Sequence, residues 1–565
     1  MPSAARSDED MTPLHRPVAW IVATVAAGAV VALFFHPTLA HSHLASFDWI
    51  FHRAYYDWAR RAFLEYGTLP LYMAGSAHSF NLIANPQSPI LSPFIGLLVF
   101  LPTDAYLKTL LVTYATLGLI GMVALLRGYG VAPELAALAG VVFTFNGFFV
   151  AHFAVGHTFV LGAYLLPSLL LLFERARKGS EAALWGAAGV NVLALLEGAN
   201  HPFIWQNALL PILALACCLE SRSLRPVWTW LRLLGVSLGL GAFKLLPMIA
   251  EFHAYAPAER NPGFPPAAVL WSLTQPGQSV ATSHPGIAFQ LGSGWWEYAF
   301  YVGVVPCVLA IAGLAAVRRR WPLLVAGAFF LAISLDLQGA GMRWDPWSLI
   351  DDLPGWRTQR MPSRFLLVAI FAFLVVAAAG GQRLLDSLRK RRLLHTALRA
   401  GVALAAILVF VDLRSQSGPW QEEPSDSQRV RLGERPPIML IPTAPGATAW
   451  FSRFAPNRFA VGVRSPVPAH LVLAGERWIR RHNWSIEGGT LESVAGRVGV
   501  RVGAGEHEVR FRYMPRFFPL GVALTTLTIL IAVYRTTISR RADSSFASRF
   551  RRAWARSVVH RRGGS

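Results

Sequence analysis

Charge is scarce in this chain. Only 15% of its 565 residues are Asp, Glu, Lys or Arg, where a water-soluble domain carries roughly 25%. That shortage argues against a soluble enzyme. Cysteine is scarcer still: Cys217, Cys218 and Cys307 all lie in apolar runs. With no CxxC or Cys/His spacing, they indicate neither a disulfide framework nor a metal cluster. No P-loop, dinucleotide fingerprint, HExxH or nucleophile elbow occurs where its context would be right. A soluble nucleotide-sugar or ATP-driven mechanism therefore has no support.

Apolar residues and basic charge are what the chain has in excess. It is 54% hydrophobic with a mean hydropathy of +0.42, and 52 Lys and Arg stand against 31 Asp and Glu, a net charge of +21. In so apolar a chain, the surplus points to arginine-rich cytoplasmic loops and anionic lipid, with no nucleic acid partner. The expected fold is mainly α, a polytopic membrane helix bundle of about twelve spans. Apolar runs place them at 17–35, 105–126, 132–153, 158–173, 183–198, 203–219, 227–248, 298–316, 322–337, 365–380, 398–413 and 516–534. The first follows a polar stretch, 1–16, and reads as a retained signal anchor. A further run, 89–102, is short and carries Pro89, Pro93 and Pro102, which favours a re-entrant or interfacial segment.

The loops can be sorted by charge. With the amino terminus inside, alternate loops hold Arg127; Arg175, Arg177 and Lys178; Arg222 and Arg225; Arg318 to Arg320; and Arg383 with Arg389 to Arg392. The tail, 535–565, adds nine arginines between Arg535 and Arg562 against one acid, Asp543. Every short basic cluster then falls on one side, as the positive-inside rule requires, provided that 89–102 does not cross. The expected location is a bacterial inner membrane, with both termini cytoplasmic.

The opposite side receives the long segments 36–104, 249–297, 338–364 and 414–515, and long loops usually carry function. From Phe47 to Phe63, apolar residues recur every three or four positions, which predicts a helix lying in the membrane interface. Asp48 and His52 are one turn apart on it and can meet. Between Arg458 and Tyr513 the pattern changes to alternation, as in Glu508-Val-Arg-Phe-Arg-Tyr513, with Gly488-Gly489 and Gly503-Ala-Gly505 as turns. This predicts a small extracytoplasmic β-sandwich within 414–515, tethered by 17–413 and by the last span, 516–534. Asn483-Trp484-Ser485 matches a glycosylation sequon, a match expected by chance.

Ionisable residues near span ends are costly unless solvated or paired. By the deduced topology, Asp48, His52, His157, Glu197, His201, Glu251, His253, Glu297, Arg357, Arg360 and Arg364 all fall at the outer side. Carboxylates, imidazoles and guanidiniums at one depth suit a substrate with both hydroxyls and phosphate. Bland readings stand beside this one. Asp48 and His52 also fit a solvated pair, the two other histidines fit helix caps, and Glu297 fits an interface anchor beside two tryptophans. The three arginines fit a lipid-headgroup clamp as well as forked phosphate contacts. Lys244, inside the seventh span, is expected to pair with Glu251 or to snorkel outward.

Several stretches taken in order resemble bacterial YfhO-family membrane proteins. They are Gly67-Thr-Leu-Pro-Leu71 through Asn85-Pro-Gln-Ser-Pro-Ile-Leu-Ser-Pro93, Gly156-His157, His201-Pro202, Leu246-Pro247, Glu297-Tyr298 with Tyr301-Val-Gly303, and Arg360-Met-Pro-Ser-Arg364. In the tail, Pro456-Asn-Arg458, Leu471-Val-Leu473, Gly503-Ala-Gly505-Glu-His507 and Phe511-Arg-Tyr-Met-Pro515 fit as well. That family is similar to GT-C glycosyltransferases, multispan enzymes with a catalytic carboxylate in the first outer loop and a polyprenyl-phosphate sugar donor. The resemblance implies Asp48 as catalytic base. The residues grouped at the outer side supply the expected substrate-binding set of His52, His157, Glu197, His201, Glu297, Arg357, Arg360 and Arg364, with metal use open. The acceptor would be an envelope glycan, lipid or polymer. Two departures stand out: Phe47 replaces a glycine that commonly precedes the aspartate, and Ala199-Asn200 replaces the glycine before His-Pro. The rival readings are a transporter or flippase of lipid-linked glycans, and a non-catalytic envelope assembly protein.

Overall fold

Seven helices among the described residues are long and apolar enough to cross a membrane: Thr103–Gly128, Pro133–Ala154, Thr158–Arg177, Asn200–Ser221, Pro362–Ser387, Arg392–Ser417 and Phe518–Arg535. An eighth span is formed if Arg225–Leu240 and Ala242–Glu251, bent by 79° at Gly241, count as one. The other four expected runs form shorter apolar helices, Val18–Phe34, Glu181–Leu196, Val304–Leu314 and Trp321–Ser334. The chain is thus mainly helical with membrane-type spans. The structure, a computed structural model, describes residues 15–44, 47–73, 80–252, 261–278, 294–316, 321–353, 355–418, 421 and 440–535. The expectations for 1–14, His253, 422–439 and 536–565 lie outside the described residues.

Sequence chemistry explains where the helices break. Asn146 interrupts Pro133–Ala154: its side chain accepts from the Phe148 amide at 3.0 Å and donates to the Phe143 carbonyl at 2.7 Å. This satisfies backbone groups that a continuous helix would have paired. The Gly147 amide then bonds the Tyr301 carbonyl at 2.8 Å, pinning the break to the stretch after Glu297. That stretch is not helical, so the expected span at 298–316 begins only at Val304. Segment 81–102 contains only a five-residue 3₁₀ helix, Ile95–Val99, too short to cross a bilayer.

Beyond Leu440 the chain forms two four-stranded antiparallel sheets. One has the order Thr448–Ala455, Arg458–Ser465, Gly505–Tyr513, Trp484–Glu487; the other Leu440–Pro442, Ala469–Arg477, Arg497–Val502, Thr490–Val494. In Gly505–Tyr513, Val509, Phe511 and Tyr513 are buried while Arg510 and Arg512 are exposed, the alternation expected of a half-buried strand. The expected boundary at 414 falls inside a helix, since Arg392–Ser417 runs through it. The β-region is docked on the first long loop: Asn457 accepts from the Leu71 amide at 2.7 Å and donates to the Leu69 carbonyl at 2.8 Å.

One local expectation is corrected. Lys244 neither pairs with Glu251 nor snorkels; it is fully buried and donates to the carbonyls of Asn85 at 2.6 Å and Ser88 at 3.0 Å. Glu251 instead accepts from Asn483 at 2.7 Å and meets His482 at 3.1 Å. Asn483, the sequon residue, is buried by that contact and offers no amide for glycosylation.

Candidate functional site

Two backbone features bring Asp48 against His157. The helix Gly147–Ala154 ends in a turn in which the His157 amide bonds the His152 carbonyl at 2.9 Å, setting the two imidazoles side by side. Gly156, at φ +94°, lies so close to the first loop that a Cβ there would come within 2.3 Å of the Trp49 nitrogen. The Asp48 amide bonds the Val155 carbonyl at 3.0 Å across this contact. Only glycine accepts both the positive φ and the approach.

From that anchor a line of polar groups runs inward. Asp48 Oδ2 lies 2.9 Å from His157 Nε2, and His157 Nδ1 lies 2.7 Å from His152 Nδ1. His152 Nε2 is 3.7 Å from Glu297 Oε2. Arg364 grips Glu297 with two donors, Nε to Oε2 at 2.7 Å and Nη2 to Oε1, and its Nη1 lies 3.3 Å from His201 Nε2. His201 Nδ1 closes the line on Gln359 Oε1 at 2.8 Å, which also accepts from Trp205 Nε1 at 3.1 Å. Phe159 packs through the middle: its ring centroid is 5.0 Å from those of both His157 and His201, with the Arg364 guanidinium 4.9 Å above it. The Asp48 side chain is 48% exposed, whereas those of Glu297 and Arg364 are 1% and 7%. Only Asp48 of these carboxylates meets the outside.

The hydrogen-bond inventory assigns the protons. Gln359 Oε1 only accepts, so His201 carries its proton on Nδ1 and receives Arg364 on Nε2. An ionised Asp48 only accepts, so His157 donates from Nε2. In the His157–His152 contact one Nδ1 donates and the other accepts. His152 is left with a buried Nε2 that has no hydrogen-bond partner and faces the Glu297 carboxylate.

Electrostatics agree with an ionised Asp48. Burial alone would raise its pKa, but the hydrogen bond from His157 and the positive charge of Arg364 bring it below the ordinary aspartate value. His52 moves the other way: burial pushes it down to about 4, His157 adds to the push, and Asp48 opposes it.

The structure therefore gathers Asp48, His157, His201, Glu297 and Arg364 in one cluster. His52 is buried on the next turn of the helix Trp49–Tyr66, and Asp48 makes its hydrogen bond to His157 rather than to His52. Glu197 belongs elsewhere: it is buried and accepts from the Ser92 hydroxyl. Arg360 is exposed. The side chain of Arg357 lies outside the described residues. His152, Phe159 and Gln359 were missed. His152 had a signal, because an imidazole in an otherwise apolar span is as costly as the Glu197 carboxylate.

His152, His157 and Glu297 offer ligand atoms within 4.8 Å of one another, a spacing that a metal ion could bridge. The donors do not fit one. Both Glu297 oxygens accept from Arg364 and both His157 nitrogens are engaged, so His152 Nε2 alone is free. A cation would have to displace the guanidinium that already neutralises Glu297.

No family model and no curated protein matches this chain.

Proposed function

We propose that this chain is a GT-C-like membrane glycosyltransferase. It moves one sugar from a polyprenyl-phosphate donor to a hydroxyl of an envelope glycan, lipid or polymer at the outer face of a bacterial inner membrane, through a bundle of about twelve spans. The observation that carries the reading is a half-exposed carboxylate, Asp48, held from behind by a buried line of imidazoles, carboxylate and guanidinium. Such a group is open to substrate on one side and fixed on the other.

Asp48 is the general base. His157 holds Oδ2, and Oδ1 takes the acceptor proton as the hydroxyl oxygen attacks the anomeric carbon. The new C–O bond forms while the bond to the phosphate oxygen breaks, and the phosphate leaves with the electron pair. Arg360, exposed and four residues before Arg364 in the chain, meets the charge that develops on that phosphate. Arg364 is committed to Glu297 and acts as a positioning residue, fixing that carboxylate and donating to His201. His157 and His152 keep Asp48 oriented and ionised.

The test is sugar transfer by the purified full chain with a polyprenyl-phosphate sugar. Asp48→Asn keeps the shape but cannot accept the proton, and a loss of about 10²–10⁴-fold in kcat is expected. Near-wild-type rates at normal expression would refute the base assignment. One feature favours the transporter reading, the 79° break in the eighth span, because broken helices line transport sites. The lysine at that break, Lys244, is consumed by loop carbonyls and lines no path.

A further inference from the structure

An apolar groove lies between the helices Pro133–Phe145, Val304–Ala316, Leu366–Ser387 and Arg392–Ser417, with a cavity of about 110 Å³. Leu135, Val142, Ala310, Leu374, Gly381 and Leu385 are among the residues that line it. Protein interiors pack without voids of this size, and a wall so apolar gives water no partners. The groove is therefore shaped for hydrocarbon.

Its position and its rim identify the hydrocarbon. Leu374 to Leu385 spans eleven residues of helix, about 16 Å, which is half of a hydrocarbon core of about 30 Å. The helix begins beside Arg364, so the groove occupies the half of the membrane away from the polar cluster. Its lining reaches Leu385 and Leu398, on either side of the turn that carries Lys390, Arg391 and Arg392, all exposed. Nearby charges are already paired: Arg399 with Glu134, and Arg389 with Asp386 at 3.7 Å. Among the described residues, Lys390, Arg391 and Arg392 have no such partner. We propose that this groove binds one acyl chain of an anionic phospholipid of the cytoplasmic leaflet, with the headgroup phosphate on Lys390, Arg391 and Arg392. The proposal rests on reading these helices as membrane spans, and it is independent of the glycosyl-transfer chemistry.

Native mass spectrometry of the full chain in detergent tests it, with phosphatidylglycerol and phosphatidylcholine of identical chains as probes. One phosphatidylglycerol should be retained, with a preference of about tenfold or more over phosphatidylcholine. Arg391→Gln combined with Arg392→Gln should abolish the preference while phosphatidylcholine is held as before. Ala310→Phe, which puts a ring into the groove lining, should lose both lipids while its melting curve stays cooperative. Equal retention of the two lipids by the wild type, or unchanged retention by a folded Ala310→Phe, overturns the proposal. Displacement of phosphatidylglycerol by equimolar polyprenyl phosphate also overturns it, in favour of a donor-chain site. A chain that stays monodisperse by light scattering without detergent would sink the membrane reading as well, an outcome visible before any lipid is added.

Discussion

Gly156 carries more of the candidate site than any charged residue beside it. A Cβ there would meet Trp49 and the Asp48 carbonyl carbon, at 2.3 and 2.7 Å, in a backbone that L side chains rarely adopt. Gly156→Ala should cost about 2 kcal/mol of stability or more and move Asp48 off His157. Thermal unfolding and the loss of transfer activity report the two effects. Phe47 shows the same constraint unrelieved. Its φ of +46° is left-handed, the region a glycine occupies without strain, and its half-exposed ring rests edge-on against Trp296 at 5.4 Å. At His52 the folded-state pKa lies below the unfolded one, so the unfolded chain binds more protons between pH 6.5 and 4. Stability is then full above pH 6.5 and falls as the pH drops toward 4, with a limiting slope of about 1.4 kcal/mol per unit. His52→Leu should flatten that part of the melting-temperature profile; an unchanged acid slope would contradict the burial of a neutral imidazole.

The informative element is the β-region and the way it closes on the first outer loop. Tyr72 of that loop packs its ring on Trp484 and Tyr513, at 5.2 and 4.8 Å, while Asn457 clamps Leu69 and Leu71. Behind this contact Glu476 is buried, and burial raises its pKa to about 8 although Arg480 pulls it back. A raised carboxyl binds more protons folded than unfolded, so its contribution weakens as the pH climbs from 4.5 through 8. Glu476→Gln, neutral at every pH, should remove that loss and leave the β-region more stable at pH 8–9. Limited proteolysis of the β-region across pH reads this directly, and equal protease sensitivity of the two chains at pH 9 would contradict it.

At the scale of the whole molecule, the basic loops and the β-region should lie on opposite faces of the bilayer. Ser180→Cys, in the turn after Lys178, should react with a membrane-impermeant maleimide only after permeabilisation. Thr490→Cys, on an exposed strand of the β-region, should react in intact cells. Labelling of both from the same side would overturn the topology on which the outward-facing site depends.

Long-range physics divides what was legible in the residues from what was not. Apolar runs and alternation are local properties, so each of the twelve expected runs overlaps helix, though the runs at 132–153 and 227–248 are broken and the one at 298–316 is helical only from Val304. Gly505–Tyr513 alternates as expected. Hydropathy and loop charge bear on the side of the membrane for the same reason, since each depends on composition near one stretch of chain. Partner choice is different. Glu297 and Arg364 are 67 residues apart, and Asp48 and His157 are 109 apart. No spacing rule links such residues; spacing offers Asp48 only the nearby His52, and Lys244 only Glu251 or the outer surface. Only the folded chain, through the break at Asn146 and the close approach at Gly156, decided which buried charges meet, because the membrane core penalises every unpaired one and packing alone settles which pairs are within reach.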